Sequence, residues 1–300
     1  MKIYKIKPYF SEKIWGTKNW SKFGFEKFNN KIGEAWLISA HENGQTLIEN
    51  EEIYLKDFFE KNKKIFGDKY DRFPLLSKII NPSENLSVQV HPNDEYALAN
   101  ENDLGKPESW LILDCPENAE IIYGHNAKDE KEFIEMTKNS KWNTLLKKVK
   151  INKGDFIYVP PGKIHAITPD VVVFELQRSS DVTYRLYDFD RLQNGIKREL
   201  QITKSLANVN FPDIDDFIIR NANNNIFSSE FFSIYLLDSK KQKTFKKYES
   251  SNWMQLSVIE GEGQINGLSF KKGESAIMLE DFDEIKIQGD LKIIFYWIKN

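Results

Sequence analysis

Three hundred residues, 40% of them hydrophobic, are enough for one large β domain or two smaller ones with a real core. A net charge of −3 with no dominant basic stripe argues against nucleic acid as a partner, so an anionic ligand would need a local Lys/Arg cluster. The single cysteine, Cys115, excludes an intrachain disulfide and suits a reducing compartment.

Aromatic residues make up 13% of the chain, which fits many strands packing face to face. The N-terminus alternates charged and apolar residues and lacks a signal-peptide core. No apolar run approaches the roughly 18–20 residues that a membrane span needs. The expectation is a cytoplasmic protein with no membrane or nucleic-acid partner, a monomer or weak homodimer.

In chain order, 1–8 reads as a period-two strand. Trp15-Gly16 and Trp20 follow in a polar loop, and 32–39 reads as a strand carrying Glu34, which faces either solvent or a polar cavity. Apolar residues at near-helical spacing predict a short amphipathic helix over 54–66. Strands are expected at 75–80 and 86–91, then a short helix capped by Asn93 or Asp94, then strands at 109–113 and 120–124. Two helices are predicted within 128–150. The first presents Phe133, Ile134 and Met136, and the second starts at a Ser140 cap and carries Leu145, Leu146 and Val149.

Gly154 to His165 runs strand, sharp turn, strand, with Pro160-Pro161-Gly162 forcing the turn. A strand over 170–176, a polar-aromatic stretch over 183–190 and a helical approach over 197–207 complete this part. The polar run Asn221 to Asn225 marks a boundary, which predicts domains at 1–220 and 221–300. Beyond it short strands are expected at 231–237, 253–260, 263–265, 275–279, 285–287 and 291–298, with Gly261-Glu262-Gly263 as a barrel turn.

All four histidines precede residue 166, so a histidine-ligated metal can belong only to the first domain. Gln89 and His91 are two apart on one strand and share a face. With Glu108 and His165 they give two imidazoles, a carboxylate and an amide oxygen, a set that suits Zn²⁺, Fe²⁺ or Mn²⁺. The bland alternative is that His91, before Pro92, merely ends a strand. His41 and His125 lie in polar loops and read as surface or rim residues. Glu175 interrupts an apolar strand and needs a partner. Arg185 is a fixed cation for an enediolate oxygen or a phosphate, unless the two form a structural ion pair.

The segments Gly33-Glu34-Ala35-Trp36, Leu86-Ser87-Val88-Gln89-Val90-His91-Pro92, Gly105-Lys106-Pro107-Glu108, Tyr158-Val159-Pro160-Pro161-Gly162-Lys163-Ile164-His165 and the stretch 175–191 occur in family order. On these the chain resembles a class I mannose-6-phosphate isomerase of the short bacterial form, in the cupin superfamily. It departs from the family pattern at Thr17 and at Pro107-Glu108-Ser109. The resemblance implies a mainly β fold: a cupin-type jelly-roll barrel with short helical insertions, followed by a smaller β domain. It implies one Zn²⁺ per chain on His91, Glu108 and His165 with Gln89 as fourth ligand, and Arg185 as the catalytic arginine. It places Ser87, Lys106, Lys78 and Arg191 along the sugar-phosphate pocket. The implied substrates are mannose 6-phosphate and fructose 6-phosphate, interconverted through a cis-enediol, with Glu175 or a metal-bound water as base. Another cupin metalloenzyme, an iron dioxygenase or a glucose-6-phosphate isomerase, and a non-catalytic sugar-phosphate sensor are the alternatives.

Overall fold

The structure, a computed structural model, describes residues 2–67, 70–246, 249–279 and 284–299. The chain packs as two compact units. A terminal unit comprises Met1–Glu12, Thr17–Ile79 and Ala222–Asn300, and a central unit comprises Lys13–Gly16 and Ile80–Asn221. Among the described residues no helix is long and apolar enough to cross a membrane.

Two antiparallel sheets form the central unit. One runs Ile218–Ile219, Phe156–Val159, Glu108–Asp114, Val172–Arg178. The other runs Leu146–Lys150, Glu120–His125, His165–Ala166, Val88–Val90, Tyr184–Tyr187. Trp110, Ile112, Ile157, Val159 and Val173 of the first sheet bury themselves against Ile121 and Tyr123 of the second. Each such side chain contributes roughly 1.5–3 kcal/mol by leaving water. On the outer face of the second sheet Val88, Val90, Ile122, Ala166, Tyr184 and Leu186 pack with Phe133 and Leu145 from the helices Glu130–Lys138 and Trp142–Leu145. Because strand side chains alternate, this burial turns Gln89, His165 and Arg185 inward, toward the first sheet.

The terminal unit has its own core, from Met254, Leu256, Val258, Ile265, Met278, Ile293, Phe295 and neighbours. Strand Lys2–Lys7 pairs antiparallel with Ser275–Leu279; position 1 of the expected strand lies outside the described residues. The Trp253 indole donates to the Phe66 carbonyl at 3.1 Å and its ring meets Phe66 and Phe73. These contacts tie 1–12 and 17–79 to the C-terminal part within one compact unit. Pairing between segments 270 residues apart leaves no local mark in the sequence.

Several elements differ from expectation. The second expected helix in 128–150 ends after one turn, Trp142–Leu145. Leu146–Lys150 then pairs with Glu120–His125 as an edge strand, which three lysines at 147, 148 and 150 suit. Ser140 is no cap; it sits in left-handed backbone at φ 53°. The polar-aromatic stretch holds the strand Tyr184–Tyr187. The helical approach expected over 197–207 holds the short helix Ile202–Leu206, and a hairpin of Leu192–Gln193 with Ile196–Lys197 precedes it. Strands expected to break at Gly261 and near Gly289 run on as Trp253–Ile265 and Ile285–Trp297, paired to each other. A Cβ on Gly261 would lie 1.8 Å from the Asp290 carbonyl oxygen. That glycine serves close approach of two long strands, not a turn.

Candidate active site

The Pro160-Pro161-Gly162 turn carries the chain from one sheet of the central unit to the other, since Phe156–Val159 belongs to the first and His165–Ala166 to the second. Gly162 holds φ +84°, and a Cβ there would meet Asn210 Nδ2 at 2.2 Å, so only glycine makes this turn cheaply. Across the second sheet, Tyr123 pairs with His165, His165 with Gln89, and Gln89 with Arg185. His91 follows Gln89 at the end of its strand. Glu108 opens its strand in the facing sheet, opposite Val159 and Gln177.

His91, Glu108 and His165 therefore converge from two sheets, all buried, each offering a ligand atom within 4.8 Å of the others. His91 Nε2 lies 3.2 Å from Glu108 Oε2 and His165 Nε2 lies 3.4 Å from Glu108 Oε1. His91 Nδ1 donates to the Val182 carbonyl and His165 Nδ1 to the Lys163 carbonyl, each at 2.8 Å. These bonds fix the tautomer, leaving both Nε2 lone pairs aimed at the same small space. Neither buried Glu108 oxygen accepts a hydrogen bond among the described residues. Two imidazole lone pairs and a carboxylate that accepts no hydrogen bond converge on one small space, a nitrogen and oxygen donor set that fits a divalent metal.

Electrostatics agree. Burial, reinforced by the Lys106 charge, pushes the His91 pKa down to about 3. Burial likewise lowers His165, so both imidazoles are neutral, the form a metal takes. Burial opposes the charge on Glu108, but the adjacent Lys106 ammonium outweighs it and holds the carboxyl well below its usual range.

The other expected residues are placed as follows. Gln89 places its amide nitrogen 3.3 Å from His165 Nε2, while its Oε1 accepts from Ser87 Oγ at 3.3 Å. Half a turn of the amide exchanges the two atoms and offers oxygen to the cluster. Lys106 Nζ is buried 3.3 Å from both His91 Nε2 and Glu108 Oε2, at the ligands themselves. Glu175 shares the inner sheet face with Glu108. It stands opposite Trp110 in register, and its Oε1 accepts from the Trp110 indole at 3.2 Å. Lys78 belongs to the terminal unit, buried, its ammonium 5.0 Å from the Trp36 ring centre.

While Glu175 accepts from the Trp110 indole, Arg185 gives Nη1 to the Glu199 carbonyl at 3.0 Å. Burial, then repulsion from Arg198, lowers its pKa. Arg191 and Arg198 both bind buried Asp188, Arg198 through Nε at 2.7 Å. Burial opposes the Asp188 charge, but these hydrogen bonds outweigh it and hold its pKa below the ordinary range. Three arginines around one carboxylate form the local cationic cluster that an anionic ligand needs. Arg198 is absent from the sequence expectation. The signal was Asn194-Gly195, both at positive φ, a hairpin turn that folds Arg198 back beside Arg191.

The remaining histidines differ from the loop reading. His125 is buried between Phe133 and Phe211, donating to the Asn210 carbonyl at 2.9 Å. His41 is half-buried against Trp36. Glu34, left open between solvent and cavity, is buried and accepts from the Trp36 indole at 2.7 Å.

Comparison with known proteins follows the same lines. Residues 3–109 match the family model of the phosphomannose isomerase type I catalytic domain, and 223–298 match that of the mannose-6-phosphate isomerase cupin domain. The chain is 39% identical over 301 residues to the mannose-6-phosphate isomerase ManA of Bacillus subtilis, covering 95% of each chain. It is 36% identical to a mannose-6-phosphate isomerase of Streptococcus mutans, covering 94% of each. A crystal structure of the mannose 6-phosphate isomerase from Bacillus subtilis superposes with a TM-score of 0.91, covering 99% of this chain and all of that one at 36% identity. A mannose 6-phosphate isomerase structure bound with zinc and yttrium shares the fold, with a TM-score of 0.77 at 19% identity, covering 99% of this chain and all of that one. The chain thus belongs to the type I mannose-6-phosphate isomerase family, enzymes of the cupin superfamily.

Proposed function

We propose that the chain interconverts mannose 6-phosphate and fructose 6-phosphate by moving a proton between C1 and C2 through a cis-enediol, with one Zn²⁺ at His91, Glu108, His165 and Gln89. The observation that carries this reading is the convergence of two fixed imidazole lone pairs on a buried carboxylate that accepts no hydrogen bond. Zinc in a structure of the same fold supports the choice of ion. When bound, the ion supplies Lewis-acid charge to the sugar's C1 and C2 oxygens.

This chain's own residues do the rest. Arg185, one strand from Gln89, adds fixed positive charge where the enediolate oxygen develops. Lys106 holds a further charge at the metal end of the pocket. Glu175, on the Glu108 face, takes the C2 proton and returns it at C1. Arg191, with Arg198, grips the phosphate, and Ser87 orients Gln89 and the sugar near it.

In a coupled assay with mannose 6-phosphate, a chelator abolishes turnover and added Zn²⁺ restores it. Turnover indifferent to chelation sinks the metal assignment, and preference for glucose 6-phosphate sinks the substrate. Arg198→Ala separates binding from chemistry. It raises KM for the sugar phosphate by roughly tenfold, the scale of one charge-assisted hydrogen bond of about 1.5 kcal/mol, and leaves kcat within about twofold. An unchanged KM removes Arg198 from the phosphate site.

A further inference from the structure

Lys163 is fully buried, and its ammonium is nonetheless saturated. It donates to Asp213 Oδ2 at 2.9 Å, Asp216 Oδ1 at 2.9 Å and the Ile214 carbonyl at 2.5 Å. It also lies 4.6 Å from the centre of the Tyr123 ring, next to His165 across the sheet. Burial works against the Asp216 charge, but hydrogen bonds from Lys147 and Lys163 outweigh it and keep that carboxyl ionised. Room for the other carboxylate is made by Gly124, where a Cβ would stand 2.1 Å from Asp213 Oδ2. The side chain is sealed from any substrate, so its charge serves the fold around it.

What it anchors is the turn that touches both candidate histidine ligands. The Lys163 carbonyl accepts from His165 Nδ1 at 2.8 Å, and the Gly162 amide donates to the His91 carbonyl at 2.9 Å. On its far side the same turn is tied to segment 210–217. Asn210 N donates to the Gly162 carbonyl at 3.1 Å, and Asn210 Nδ2 donates to the Pro161 carbonyl at 3.3 Å. Partners that orient an imidazole through its second nitrogen set its direction and basicity toward a metal.

We propose that Lys163 is a positioning residue for the metal centre: by clamping the turn to Asp213, Ile214 and Asp216, it fixes the carbonyl that orients His165 and the amide that restrains His91. The proposal rests on the metal-site reading above. Removing the ammonium alone would strand two carboxylates, so the test uses Asp216→Asn, at a partly exposed position, and the triple variant Lys163→Met, Asp213→Asn, Asp216→Asn, which removes the ammonium together with both of its carboxylate partners.

Zn²⁺ affinity is measured by competition with a chromophoric chelator, and ligand geometry by the d–d absorption of Co²⁺-loaded protein. Wild type binds one ion per chain. The triple variant binds it roughly 10–100-fold more weakly with an altered Co²⁺ spectrum, the scale for lost outer partners of a metal ligand. Asp216→Asn shows a smaller loss in the same direction, and KM at saturating metal is unchanged in both. Wild-type affinity and spectrum in Asp216→Asn and in a triple variant with native circular dichroism overturn the positioning role. Failure of wild type itself to bind the ion overturns the metal-site reading instead.

Discussion

His165→Ala removes metal and isomerase activity together. A protein zinc site is worth roughly 10–16 kcal/mol over about four ligands, so one ligand accounts for about 3 kcal/mol, or roughly a hundredfold in affinity. The loss here is larger than that average. His165 is held by the Lys163 carbonyl, by Gln89 and by an edge contact with Trp110, 5.4 Å between ring centres, so no neighbouring group swings in to replace it. Metal content by mass spectrometry of the native protein, beside the rate, is the measurement. Full metal content with full activity would remove His165 from the site, and full metal content with no activity would make it catalytic instead.

Arg185→Ala leaves the metal in place and cuts kcat by about 10²–10³, the cost of deleting one preorganised charge aimed at a developing oxyanion. The guanidinium is anchored by one bond to the Glu199 carbonyl, and its Nε is buried without a partner. A half-buried cation whose guanidinium hydrogen-bonds a carbonyl rather than a carboxylate is prepared to meet a negative charge that appears during the reaction. Arg185→Lys recovers part of the rate by restoring charge without the planar fork. Metal loss in Arg185→Ala would assign the residue a structural role, and a change in KM alone would move it to the phosphate.

The ligand chemistry was legible because it is local. Gln89 and His91 lie two apart in a strand, so alternation puts them on one face. The Pro-Pro-Gly turn announces that His165 is rigidly placed, and Gly162 at φ +84° bears this out. Where the sequence misled, competing local patterns were nearly balanced. Leu145, Leu146 and Val149 suit a helix, yet pairing with Glu120–His125 made strand of the last two. Arg198 fell at the start of the helical approach expected over 197–207, whereas the Asn194-Gly195 turn folds it onto Asp188.

By itself, then, the sequence determined which side chains are available as metal ligands and, through period-two burial, which of them point inward. Only the tertiary structure decided that Glu108 meets His91 and His165 from the opposite sheet, and that Arg191 and Arg198 converge on Asp188. It also decided that the first strand pairs with Ser275–Leu279, so that the ends of the chain build one unit and the middle the other. The reason is physical. Alternation and turn chemistry are fixed by neighbours within a few residues, whereas strand pairing is chosen by the burial and backbone hydrogen bonds of whole sheets.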